Sequence, residues 1–177
     1  TVGGNMSFQN ISTGSFTMSG SLTVTGNLTF QNMTPTAFTV SGLTVTVTGD
    51  FLMDNAPFNF NLGNVGMTVN GNFSIINGAS TFTHSNVLTV KKSFTLGSSV
   101  TFNQSSRVDF TAITTGQTIT SSGKSFSSVR FNGSGGEWIL QDNFKATGAT
   151  EHYTGIFRSN GKTVDYGQYL NAFDGGT

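Results

Sequence analysis

Val24-Thr25-Gly26-Asn27-Leu28-Thr29-Phe30 decides the fold of this chain, because it comes back. Val2-Gly3-Gly4-Asn5-Met6-Ser7-Phe8 precedes it, and Val47-Thr48-Gly49-Asp50-Phe51 and Val69-Asn70-Gly71-Asn72-Phe73-Ser74-Ile75 follow. A more divergent copy reads Val90-Lys91-Lys92-Ser93-Phe94-Thr95-Leu96. Val2, Val24, Val47, Val69 and Val90 thus recur with nearly even spacing, and an apolar residue stands four places after each. Self-similarity at a fixed period is the signature of a repeat architecture.

Two further columns keep the same period. Phe16, Phe38, Phe60, Phe82 and Phe102 recur in step with the valines. Leu22, Val45, Met67, Leu88 and Val108 each stand two places before the apolar residues Val24, Val47, Val69, Val90 and Phe110. Each repeat therefore holds three short stretches in which apolar and polar residues alternate, the pattern of a strand with one buried face. Gly, Asn, Ser and Thr fill the gaps between them, as turn formers do.

Three short strands in ~22 residues cannot enclose a core alone, but stacked coils can. Stacking sets like strand on like strand, parallel and in register, with a rise of ~4.8 Å per coil. The sequence thus predicts an all-β protein, a parallel β-helix of right-handed sense. It should have about eight coils and a length of about 40 Å at that spacing. A β-sandwich also uses many short strands, but nothing in it would hold three columns in step over five repeats. Residues 1–110 read as regular coils and residues 111–177 as a less regular continuation of the same solenoid. Thr111 to Ser125 carries few large apolar residues and reads as a wider coil or a loop leaving the rod. The pattern resumes at Trp138-Ile139-Leu140-Gln141-Asp142-Asn143-Phe144 and at Asn160-Gly161-Lys162-Thr163-Val164. Both termini fall inside a repeat, so the expectation is a piece of a longer protein whose first partners are neighbouring repeats of the same polypeptide.

Composition narrows the function classes. Of 177 residues, 28 are Thr, 21 Ser, 17 Asn and 23 Gly, so hydroxyls and amides dominate the surface. Eight basic residues balance eight acidic ones, which argues against a nucleic-acid partner, since phosphate binding needs a cationic stripe. No apolar run approaches the ~18 residues of a membrane-spanning helix, so no membrane insertion is expected of this segment. The absence of cysteine excludes disulfides and thiolate metal sites. Seven Asn-x-Ser/Thr sequons follow from the abundance of those residue types and would matter only in a eukaryotic host.

The run Gly123-Lys124-Ser125-Phe126-Ser127-Ser128-Val129-Arg130-Phe131-Asn132-Gly133-Ser134-Gly135-Gly136-Glu137-Trp138 and its continuation to Phe144 resemble repeats of very large secreted surface proteins. Ser159-Asn160-Gly161-Lys162-Thr163-Val164 and the Val-x-Gly-Asn-x-Ser/Thr motif share that resemblance. Such proteins are typical of Bacteroidota and include adhesin-like cargo of the type IX secretion system. The resemblance implies export, an extracellular or cell-surface location, and a role in attachment or gliding motility. Such proteins carry a sorting domain or a lectin-like tip, and neither is read in this stretch. The resemblance therefore implies a stalk, with surface glycans or other cell-surface proteins as partners, and it carries no catalytic residue over.

Gly123-Lys124-Ser125 and Gly161-Lys162-Thr163 mimic the end of a phosphate-binding loop, but the earlier glycine such a loop requires is replaced by Thr118 and Ile156. Gly133-Ser134-Gly135-Gly136 lacks dinucleotide-binding spacing and reads as a flexible turn. His84 has inward parity and reads as a core residue, while His152 reads as exposed. No cluster offers the three or four ligands of a zinc site, so no metal and no cofactor is expected. Catalysis on polysaccharides would need paired carboxylates, and only Asp50 and Asp54 lie close in sequence. Asp142 and Asp165, about one coil apart, are a conceivable calcium contact. Thr23-Val24-Thr25 and Thr46-Val47-Thr48 resemble the outward ranks of an ice-binding face; Thr68 and Thr89 continue the first rank, while Asn70 and Lys91 break the second. Trp138, Tyr153, Tyr166 and Tyr169 cluster near the C-terminus, where exposed rings could stack on sugars or simply fill a wider coil. The expected function is a structural stalk without catalysis. A carbohydrate-binding or polysaccharide-active β-helix, a phage or filament fibre component, and an ice-binding solenoid are the alternatives.

Overall fold

A computed structural model describes residues 1–34 and 37–171. The chain winds as a parallel β-solenoid of about seven coils, with ~22 residues and three strands in each turn. At ~4.8 Å per coil the stack is about 34 Å long. That is a coil shorter than the bare repeat length suggests, because some coils widen: the step from Phe94 to its stacked partner Ile119 is longer than the step from Phe73 to Phe94.

Three stacks of strands form the walls. The first holds Met6–Gln9, Leu28–Gln31, Phe51–Asp54, Phe73–Ile76, Phe94–Leu96 and Gln117–Thr120. The second holds Ser15–Met18, Ala37–Val40, Asn59–Gly63, Thr81–His84 and Thr101–Gln104. The third holds Leu22–Val24, Thr44–Val47, Gly66–Val69, Leu88–Val90 and Arg107–Phe110. The long strand Ser128–Leu140 then pairs with the third stack at one end and the first at the other, joining both into one sheet. Ala149–Arg158 runs parallel to it, and Gln168–Asn171 pairs with Ala149–Arg158 in turn. Thr111 to Ser125 therefore stays within the rod.

Register puts each column of the sequence into one continuous interior pile. Phe38 pairs with Phe60, and Phe60 with Phe82, with ring centroids 5.2 and 5.5 Å apart and rings within 3° of parallel. Those three rings are fully buried, while the end members Phe16 and Phe102 are only partly covered. Phe51, Phe73 and Phe94 build a second pile and meet the first edge-on, as at Phe73 and Phe82 (88°). Offset-stacked and edge-to-face contacts are the arrangements aromatic quadrupoles favour, each worth ~0.5–1.5 kcal/mol beyond area burial.

The corner between third and first stacks explains the Val-x-Gly-Asn motif. The side-chain oxygen of Asn5 accepts the Asn27 N–H at 2.9 Å, Asn27 accepts from Asp50 at 2.8 Å, and Asp50 accepts from Asn72 at 2.7 Å. This ladder runs close against the next corner glycine. A Cβ on Gly26, Gly49 or Gly71 would lie 2.2–2.3 Å from the side-chain oxygen of the coil before it. A row of asparagines follows the first stack, where Asn10, Asn32, Asn55 and Asn77 all take left-handed backbone with φ of 47–55°. Asn tolerates that region better than other side chains. Asn55 Nδ2 donates to Asn32 Oδ1 at 3.0 Å, tying successive coils.

Gly133-Ser134-Gly135-Gly136 is no flexible turn. It lies inside Ser128–Leu140, and a Cβ on Gly133 or Gly136 would come within 1.9 Å of the Ala112 carbonyl oxygen. Backbone packs on backbone there, which only glycine allows.

Candidate functional site

The C-terminal aromatics do not share one surface. Trp138 is 0% exposed, 5.2 Å from the Phe131 ring, so it is a core residue and not a sugar contact. The bend at Gly133–Gly136 resets the strand's alternation: Phe131 points inward, and so does Trp138 seven residues later, where unbroken period two would turn it out. Tyr153 is half-buried, and the Arg130 guanidinium lies over its ring at 5.1 Å, so that face is already taken. Tyr166 and Tyr169 do meet, 5.0 Å apart, with Tyr169 45% exposed. Burial raises the Tyr166 phenol above the ordinary tyrosine range.

Charges in the same region pair with one another. Asp109, Arg130 and Glu151 are stacked partners on the outer face of the third stack. Arg107 is bonded to Asp109, and Arg130 Nε donates to Glu151 at 2.7 Å. Glu137 takes Arg158 and the Gly116 N–H, which hold its carboxyl below the usual range. Asp142 accepts from the Ser121 N–H at 3.0 Å and from Ser122, while the register places Asp165 beside Lys145 instead. Asp142 and Asp165 thus do not face each other. Among the described residues no three of His, Asp and Glu come together as a metal site would require.

The two Gly-Lys-Ser/Thr tripeptides close matching turns. Ser122 and Gly123, like Asn160 and Gly161, have positive φ, and the Lys124 and Lys162 amides donate back to Ser121 and Ser159. That is the type I′ turn pattern. Lys124 Nζ is bound to the Ser98 carbonyl at 2.8 Å and does not face a phosphate cradle.

No family model, curated protein or solved structure matches the chain. Its site geometry must therefore be read from its own residues.

The first threonine rank stacks as its spacing in the sequence implies. Thr23, Thr46, Thr68 and Thr89 stack directly on one another, and the rank ends at Asp109. Its neighbour is broken by Asn70 and Lys91.

His84 is buried beside Phe82 and Phe102 in the inward face of the second stack. Its Nδ1 donates to the Asn86 carbonyl at 2.8 Å. Its Nε2 and both amide atoms of Gln104, its stacked partner, have no hydrogen-bond partner among the described residues. Burial lowers the His84 pKa below the ordinary histidine value, only partly offset by the bond to Asn86. The unfolded chain therefore binds a proton on acidification before the folded chain does, and stability falls as pH drops below about 6.5. Burial shifts His152 in the same direction. We predict a lower melting temperature at pH 5 than at pH 7.5, and a smaller drop in His84→Phe. An equal drop in the variant would show that His84 does not contribute.

One concavity escapes the sequence. At Lys91-Lys92-Ser93 the corner loses its glycine, and one coil later it widens to the six residues Thr111 to Gly116. The step leaves a groove of about 560 Å³ lined by Asn70, Lys91, Lys92, Thr111, Ile113 and Asn132, among others. The one signal in the sequence is the Lys-Lys pair in a position held elsewhere by Gly-Gly, Thr-Gly or Asn-Gly.

Proposed function

We propose that this chain is a rod segment of a large extracellular surface protein, acting mechanically to hold a binding element away from the cell. The observation that carries the reading is how the polar groups are used. Side-chain oxygens at the corners bond coil to coil, and the three ion pairs among the described residues lie within the outer wall. Pulling such a rod apart must break every parallel ladder of a coil together, which suits a load-bearing part. The surface of hydroxyls and amides suits an exported protein, and the likeness of its repeats to Bacteroidota surface proteins supports attachment or gliding as the process served. Other coils of the same polypeptide are the natural neighbours of its two ends. Among the described residues no helix is long and apolar enough to cross a membrane.

Immunogold labelling of intact producing cells, with an antibody raised against this chain, tests the reading. Gold on filaments or patches at the cell surface is the expected result. Antigen confined to the medium or to free particles would overturn it, in favour of a secreted carbohydrate-active protein or a virion fibre.

A further inference from the structure

The groove at the step between the narrow and the widened corner has the chemistry of a binding site. Its two lysines are exposed, and neither has an acidic partner within 4.0 Å among the described residues, whereas all three arginines are paired. Two unneutralised ammonium groups on adjacent residues favour an anion. The wall is mostly apolar, and Ile113 is 74% exposed beside the lysines, far more than a side chain of that type usually is. The ligand therefore also has an apolar face. Asn70 Oδ1 and Thr111 Oγ1 flank the Lys91 stem in the stack, are buried, and accept no hydrogen bond. Native proteins seldom leave buried acceptors without donors. A ligand hydroxyl that shifts the Lys91 stem would supply one.

We propose that this groove binds an acidic saccharide, a uronate-bearing glycan. The sugar carboxylate sits against Lys91 and Lys92, its hydroxyls donate toward Asn70 and Thr111, and the C–H face of a ring lies on Ile113. Inorganic phosphate or sulfate would satisfy the lysines alone. An acidic peptide would bring carboxylates without a dense set of hydroxyl donors. A volume of about 560 Å³ is within the range of small-ligand sites and accommodates a short oligosaccharide. The site concerns the flank of the rod and does not depend on the stalk reading; a failed immunogold experiment leaves it standing.

Titration of the whole chain with trigalacturonate at low ionic strength, followed by backbone NMR shifts, is the test. Saturable shifts should centre on residues 70, 91–92 and 111–114, and neutral trigalactose should produce none. Lys91→Gln/Lys92→Gln should weaken affinity about tenfold or more, as the loss of charge-assisted bonds implies. Thr111→Val keeps the shape and removes the unpartnered hydroxyl, so it should weaken affinity a few-fold without lowering the melting temperature. The proposal is overturned by an absence of saturable binding, by a double variant that binds like the parent, or by poly-glutamate binding as tightly as trigalacturonate. The last result would mark a generic anion or acidic-peptide surface.

Discussion

Phe60→Asp is expected to unfold the central coils outright. The Phe60 ring is fully buried between the parallel rings of Phe38 and Phe82 and touches Phe30 and Phe51 edge-on, at 5.3 and 5.4 Å. Removing a buried phenylalanine costs ~3–5 kcal/mol before any charge is considered. A carboxylate there has no cation within reach, so it must either stay ionised in an apolar interior or take up a proton at further cost. The sum matches a large share of the ~5–15 kcal/mol that holds a whole domain folded. Because solenoid coils contact only their neighbours, the damage should be local first. Hydrogen exchange should lose protection across residues 37–84 while Ser128–Leu140 and Ala149–Arg158 keep theirs. Phe60→Leu, which conserves most of the volume, should lower the melting temperature and leave the exchange pattern intact. Unchanged melting in Phe60→Asp would mean that the phenylalanine column does not face inward.

That column is legible because period and parity act together. A residue that recurs once per coil, in the same phase of an alternating strand, has one place to go once coils stack. Legibility ends where the period is locally broken. The sequence leaves Trp138 open between a sugar-stacking ring and the filling of a wider coil; strict alternation from Phe131 would turn it outward, and the backbone crowding at Ala112 that resets the phase and buries it is invisible in one dimension. Tyr153 lies outside the core, but the Arg130 side chain that covers it comes from the preceding coil, and nothing local to either residue announces the contact. The Val-x-Gly-Asn motif is plain as a repeat and as a turn. Why it must be Gly before Asn becomes clear only with the register, which sets each glycine against the side-chain oxygen of the preceding coil. Lys91 stands out in the sequence as a break in a threonine rank; the groove it lines depends on the loop one coil later, which has no counterpart in the regular repeats.

Gly49→Ala should be strongly damaging, although it adds only a methyl group. Its Cβ would stand 2.2 Å from Asn27 Oδ1 and 2.8 Å from the carbonyl carbon and oxygen of Gly26. Two of those three atoms are backbone and cannot swing aside. The third is the acceptor of the Asp50 N–H, so moving it breaks a rung of the ladder. Overpacking of this kind costs ~1–3 kcal/mol, and a lost bond that leaves a donor unpaired adds ~1 kcal/mol or more. For a chain of this size, about 3 kcal/mol corresponds to a fall of ~6–12 °C in melting temperature. Gly20→Ala is the matched control. Gly20 is also a corner glycine, but no atom lies within 4 Å of the added Cβ, and its variant should melt within a degree or two of the parent. Asn27→Ala separates the two causes at position 49, since it deletes the rung while making room for the methyl. In the Asn27→Ala background, adding Gly49→Ala should cost less than it does in the parent, because one of the three clashing atoms is gone. If the penalty at position 49 were the same in both backgrounds, the amide ladder would not be what selects glycine at this corner.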